Sequence, residues 1–417
     1  MTRVELLIEA LARGGDGVAH HEGRTIFVER TGPGDRVRVE LPPGRDPVQL
    51  PAKDVELLAP GPARAELFCP VADRCGGCRW MHVTPDAQAE AKERLFYEAL
   101  ARVGHTPRES IDARPLVRAP AVRGYRRRTR LHVRRERLGY LREKTHELIE
   151  VTGCPVLEPE LHAAVGKLGP ALAEHGLLAR VKEIDLVSDG MRWSLALHVD
   201  RLTDAVRERT EALVRALGAR GAVLLAEGKG PVLIQKPVLG TLRPDVFAQV
   251  NGASNAALVE AASTQLAATP GTRVLELFAG SGNFTLPLLQ RGAQVVAVDF
   301  AGPALGLLRK AADAGGQGTQ LRIVEGDALE KAKLLAADGA RFDAVLLDPP
   351  RAGCSGLGSV AVTLGVKRII YVSCDPGTLA RDLAELRGAG FLPTFAQPFD
   401  LFPMTPHIEG LVALQRQ

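Results

Sequence analysis

Apolar and polar positions divide the chain into three stretches of different rhythm. Residues 1–59 alternate in short runs, VELLIEALA, GDGVAHHEGR, TIFVERT, GDRVRVELP and KDVELLAP, broken by Gly14-Gly15, Gly23 and Pro33-Gly34. Period-two alternation between closely spaced turns predicts short strands, here a five-stranded barrel of the OB kind. Residues 60–245 mix periods. A helix is predicted from Pro85 to about Val103, then arginine-rich strands in TRLHVRRERLGYLRE and HELIEV, then further helical and strand segments. This stretch is read as a central α+β domain. Residues 246–417 alternate buried-strand runs with amphipathic ones, from RVLELFA through QVVAVDF, LRIVEGD and FDAVLLDPP to RIIYVSC. That βαβα rhythm predicts a largely parallel, doubly wound α/β sheet.

Charge changes the picture locally. Residues 114–144 hold twelve Arg or Lys against two Glu, a local charge of +10 in a chain whose net charge is +4. A one-sign block repels itself and commonly exists to meet an anion, so Arg126, Arg127, Arg128 and Arg130 are expected to contact RNA. No run of about 18 apolar residues occurs, and acids interrupt the apolar stretch at the N-terminus. A cytoplasmic protein with no membrane partner is expected, and a monomer.

The candidate chemistry begins at Val274–Phe284, where a strand runs into a glycine turn and then a helix. Gly280 and Gly282 let backbone approach a ligand closely. The spacing departs from the dinucleotide GxGxxG, which favours a ligand without a pyrophosphate. Asp299, Asp327 and Asp348 end the next three strands, where open α/β sheets bind ligands. The layout is that of a class I S-adenosylmethionine (SAM)-dependent methyltransferase with a Rossmann-like fold. Cys374 ends the strand IIYVSC ahead of a helix, a place that can depress a thiol pKa. Carbon 5 of uracil is a poor nucleophile until a thiolate adds to carbon 6, and its proton must later be removed by a base. Cys374 and Glu409 fit those two roles.

At these residues the chain closely resembles the RNA uracil-5-methyltransferase family. The motifs are Phe247-Ala248-Gln249-Val250-Asn251, ELFAGSGNFT at 276–285, Asp348-Pro349-Pro350-Arg351-Ala352-Gly353, Ser373-Cys374-Asp375-Pro376 and His407-Ile408-Glu409, in family order. The resemblance covers residues 60–417, and residues 1–59 resemble the TRAM barrel that some members carry. It implies Cys374 as nucleophile, Glu409 as base, and SAM contacts from Gln249, Phe278, Asn283, Asp299, Asp327 and Asp348. Asp299 stands where Glu is frequent, and Asp375 where Asn is common. 23S rRNA is the favoured substrate, with tRNA as the alternative. Asp348-Pro-Pro-Arg alone also fits an amino-methyltransferase, and an RNA-binding assembly factor on an inactive methyltransferase fold is the rival from another class.

Six cysteines remain to be placed. Cys69, Cys75 and Cys78 cluster, and Cys154 is remote. Structural zinc favours two close pairs, whereas three clustered ligands and one distant ligand are common in [4Fe–4S] sites. Free thiols are the third reading. The family resemblance implies a [4Fe–4S] cluster on these four. A radical-SAM enzyme would need a CxxxCxxC motif, which is absent. Cys354 is read as incidental.

Overall fold

The computed structural model describes residues 2–44 and 46–417. The N-terminal stretch forms seven strands in two sheets rather than the five expected. Thr2–Leu7, Arg36–Leu41 and Val55–Ala59 make one sheet, and Ala10–Leu11, Gly17–His21, Arg24–Val28 and Val48–Leu50 the other. The apolar run at the start splits at Ile8. Its N–H bonds Asp35 (2.9 Å) and its carbonyl accepts from Gly34 (2.8 Å), while Glu9 N–H already bonds Val18 (2.8 Å) in the second sheet. Both sheets close on one core that includes Ile8, Ile26, Val37 and Val48.

The middle stretch is built on a seven-stranded sheet. Its order is Leu148–Glu150, Arg137–Leu141, Arg128–Arg134, Val181–Ser188, Trp193–Val199, Gly221–Leu225 and Val232–Gln235. Only Trp193–Val199 and Gly221–Leu225 pair in parallel, joined through helix Asp204–Leu217. That helix and Pro159–Glu174 cover one face, burying Leu131, Val133, Ile184 and Leu195 beneath them. Strand alternation sends Arg128, Arg130 and His132 to the opposite face.

The C-terminal sheet has eight strands, in the order Leu321–Glu325, Gln294–Asp299, Arg273–Leu277, Ala344–Leu347, Arg368–Ser373, Glu409–Arg416, Phe391–Phe399 and Asp112–Ala113. The first five run parallel and Glu409–Arg416 is antiparallel to its neighbours. Apolar cores fill both faces, as a doubly wound fold requires. The eighth strand comes from the middle stretch, and so does helix Pro85–Arg102. Phe96, Tyr97 and Leu100 of that helix join the C-terminal core beside Leu379 and Leu383. Thr84 caps the helix, accepting from Ala87 N–H at 3.4 Å, and Pro85 opens it.

Candidate active site

The parallel strands end at one crevice, and most of the expected residues line it. Strand Arg273–Leu277 leaves the sheet through Phe278, Gly280 and Gly282, with φ of 62°, 54° and 94°. A Cβ on Gly282 would lie 2.6 Å from Leu308 Cδ1, so that turn needs glycine for space as well as for φ. Phe278 lacks that freedom and holds a left-handed conformation with a side chain, a form of strain found at ligand sites. Asp299 accepts N–H from Gly280 and Ala301, both at 2.8 Å, which ties the second strand end to the glycine turn. Asn283 exchanges amide hydrogen bonds of 2.8 and 3.0 Å with Asn255, a partner that sequence reading missed. Asp327 is exposed and caps helix Ala328–Ala337 through Glu330 N–H at 2.9 Å.

The reacting groups converge from three strand ends. Cys374 follows Arg368–Ser373, Asp348 follows Ala344–Leu347, and Glu409 opens the antiparallel strand beside Cys374. Gln249 reaches Asp348 at 3.5 Å. Burial, then the carboxylates of Glu409 and Asp348, push the Cys374 thiol up to about 11, against the weaker pull of Arg351. The depression that a helix N-terminus can give is therefore outweighed: burial, and then the carboxylates, raise the thiol, and Asp375 occupies the first helical N–H groups. Burial raises Asp348 to about 7, and burial plus Asp348 raise Glu409 well above the ordinary carboxylate range. Glu409 is 2% exposed, and its Oε1 has no hydrogen-bond partner among the described residues. Glu276, two residues before the turn, bonds Thr285 at 2.6 Å and is pushed up to about 8 by burial. Neither Glu276 nor Arg351 was singled out from sequence, although both stand inside the quoted motifs. Such a pocket favours a cation near its carboxylates and leaves acceptor capacity for a ligand.

The four cysteines at 69, 75, 78 and 154 carry free thiols that feel one another's charge. Burial, then Cys154 and Cys75, push Cys78 to about 12, so a thiolate there requires a compensating cation. Burial likewise raises Cys75 and Cys154. A Cβ on Gly76 would fall 2.8 Å from Glu143 N, so this loop lies against the 137–150 hairpin only because it is glycine. Among the described residues, no group of three or more His, Cys, Asp or Glu is arranged to hold a metal ion. Cys354 is buried away from the four, its N–H bonded to Asp382 at 2.7 Å.

The expected RNA-contacting arginines are engaged within the protein. Arg127 Nε donates to Gln249 O at 2.8 Å, Arg128 to the carbonyls of Val246 and Pro244, and Arg126 Nε to Arg128 O at 2.9 Å. Arg130 makes two 2.8 Å bonds to buried Asp185 but stays exposed. Arg127 and Arg128 thus hold the segment that aims Gln249 at Asp348. No helix among the described residues is long and apolar enough to cross a membrane.

Comparison with known proteins extends this geometry. The tRNA (Uracil-5-)-methyltransferase family matches residues 235–417, and the TRAM domain matches residues 2–42. A 23S rRNA (uracil(1939)-C(5))-methyltransferase RlmD of Alkalilimnicola ehrlichii is 36% identical, over 99% of this chain and 96% of its own length. The enzyme of the same description from Pseudomonas entomophila is 35% identical, over 98% of this chain and 93% of its own. Among solved structures, the Pyrococcus abyssi tRNA (uracil-54, C5)-methyltransferase in complex with S-adenosyl-L-homocysteine superposes with a TM-score of 0.72. It is 21% identical and covers 99% of this chain and 100% of its own, a likeness of fold.

Proposed function

Because this chain belongs to the RNA uracil-5-methyltransferase family, we propose that it methylates carbon 5 of a uridine in 23S rRNA through a covalent bond to Cys374. It is a SAM-dependent enzyme with a TRAM domain ahead of a SAM-binding fold. The reading divides it into a barrel at 1–59, a central domain at 60–245 and a methyltransferase domain at 246–417. The observation that carries the mechanism is the meeting of Cys374 with Glu409, whose buried Oε1 awaits a partner.

SAM supplies an electrophilic methyl group on a sulfonium. Gln249, Phe278, Gly280, Asn283, Asp299, Asp327 and Asp348 would hold it. Cys374 gives up its Sγ proton to solvent and forms a bond from Sγ to carbon 6, and the electron pair of the 5,6 double bond makes carbon 5 nucleophilic. Carbon 5 takes the methyl as the methyl–sulfur bond breaks, leaving S-adenosylhomocysteine. Glu409 in its ionised form, made a stronger base by burial, then takes the carbon 5 proton, the double bond re-forms, and Cys374 leaves as thiolate. The target base must leave its stack to reach the crevice. Exposed Arg130 is offered to RNA, while Arg126, Arg127 and Arg128 act one step back by fixing the segment before Gln249. A cytoplasmic monomer is the setting of this reading.

Relatives that match over the full length at 35–36% identity, both 23S rRNA enzymes, favour 23S rRNA. The test is a Glu409→Gln variant, which keeps the side chain's size and removes its basicity. It should accumulate methylated RNA joined to Cys374, seen as a slow band on a denaturing gel. The band should need SAM, form with 23S rRNA fragments but not with tRNA, and vanish when Cys374→Ala is added. Free turnover by Glu409→Gln would assign the base elsewhere, and a band with tRNA alone would reverse the substrate.

The same reading places a [4Fe–4S] cluster on Cys69, Cys75, Cys78 and Cys154. What supports it is the donor chemistry, free thiols that feel one another's charge on a glycine loop pressed against a hairpin, and binding would have to gather them further than they stand here. Such a cluster would neutralise the thiolates and fasten residues 69–78 to residue 154.

A further inference from the structure

Asp375 departs from the family's common Asn, and its charge meets a partner from the far end of the chain. Arg13 Nη2, in the N-terminal barrel, donates to Asp375 Oδ1. The same oxygen accepts N–H from Gly377 at 2.9 Å and Thr378 at 2.8 Å, the first turn of helix Pro376–Gly388. Position 377 makes room for the arginine, because a Cβ there would lie 2.2 Å from Arg13 Nη1. The turn following Arg13 is wedged further in. Trp80 Nε1 donates to Gly15 O at 2.8 Å, and Arg79 donates to Gly14 O and pairs with Asp16 at 3.1 Å. A Cβ on Gly15 would touch Pro406 Cγ at 3.3 Å. One barrel turn therefore abuts both the loop of Cys374 and the segment that leads into Glu409.

We propose that Arg13 is a positioning residue for methyl transfer: through Asp375 it fixes the loop that presents Cys374, making the barrel a working part of the reaction centre. An asparagine would cap the helix equally well, so the cap alone does not call for a carboxylate. The carboxylate adds a charge-assisted bond to the barrel, which is stronger and more directional than a neutral one. Small displacements of a nucleophile are enough to slow a reaction greatly.

The inference rests on Cys374 being the nucleophile, and one experiment separates the two. The full-length protein is mixed with SAM and RNA containing 5-fluorouridine, and the rate of covalent adduct formation is measured at saturating RNA. Affinities for RNA and SAM are measured beside it. Arg13→Ala should slow the adduct by about tenfold or more with both affinities unchanged. Gly377→Ala, which leaves Arg13 in the chain but crowds it off Asp375, should do the same. Adding Asp375→Asn to Arg13→Ala should recover none of the rate, because the amide restores no bond to the barrel, and the number of SAM sites per chain should stay at the wild-type value in both variants. Recovery in the double variant would overturn the proposal, since Arg13 would then only neutralise the carboxylate, and a fall in SAM sites per chain that matches the loss of rate would overturn it as a role in folding. So would a wild-type rate in Arg13→Ala, or a loss confined to RNA affinity with a shallower salt dependence, which would make Arg13 a phosphate ligand. If the wild type itself forms no adduct, the nucleophile assignment falls instead.

Discussion

The C-terminal crevice and the middle stretch from Cys69 to Cys154 both concentrate reactive or charged side chains, and they treat them in opposite ways. In the middle stretch the groups satisfy one another. Arg126, Arg127 and Arg128 are bonded to carbonyls, and Arg130 to Asp185. The thiols of Cys75, Cys78 and Cys154 are the exception, raised by burial and by one another's charge. In the crevice the groups are left wanting. Glu409 Oε1 and Asn251 Nδ2 are buried without a partner among the described residues, and three carboxyl groups there are raised by burial. An unmet buried polar group is costly, and sites keep such groups where a ligand will complete them. Density of charge along a sequence is thus a weaker guide to function than the state in which folding leaves it.

The sharpest way to break this contrast is at the cysteines. Protein purified without oxygen should be brown with about four irons and four sulfides per chain, and Cys78→Ser should lose them. Stoichiometric zinc in the anaerobic wild type would show that the thiols serve a different metal. A middle-sized effect is expected at Arg128. Arg128→Ala should lower unfolding stability by about 1–3 kcal/mol, since it strips donors from two carbonyls. The salt dependence of RNA binding should stay the same. A slope reduced by about one would instead count Arg128 as a phosphate contact.

The smallest effect, reckoned per pH unit, concerns the crevice. Glu276 is raised to about 8 in the folded protein, so between an ordinary carboxyl pKa and pH 8 the folded state holds a proton that the unfolded state has lost. Stability should therefore be full in mild acid and fall as pH rises towards 8, by up to about 1.4 kcal/mol per pH unit. Glu276→Gln keeps an acceptor for Thr285 and should flatten part of that slope in chemical unfolding at pH 5 to 8. An unchanged slope would show that Glu276 is ionised in the fold.

Local pattern made the C-terminal sheet legible. Strand ends, glycine turns and acids recur within a few residues of one another, so short-range spacing was enough to place Asp299, Asp348 and Cys374. The barrel was legible as short strands but not in number, because the split at Ile8 depends on bonds to Gly34 and Asp35, and the strand Val48–Leu50 on its pairing with Arg24–Val28. The facing of Arg128 was beyond reach, since alternation fixes two faces and not which one meets the 244–249 segment. The thiol of Cys374 was misread for a similar reason. Its helix N-terminus is local, while the burial that raises it, and then the carboxylates of Glu409 and Asp348, come from other strands.

The two-residue strand Asp112–Ala113 and the helix Pro85–Arg102 carry a consequence for how the molecule is made. Both emerge from the ribosome long before Phe391–Phe399, the strand that Asp112–Ala113 joins. Until then Phe96 and Leu100 have no core to enter, and the nascent chain must hold apolar surface open while roughly 280 further residues are synthesised. Once docked, the short strand covers the outer edge of Phe391–Phe399, which would otherwise be open to pairing with another chain. A piece cut out at residue 246 would lack both. It would present a bare sheet edge and an uncovered apolar face, so aggregation rather than autonomous folding is the fate built into this topology.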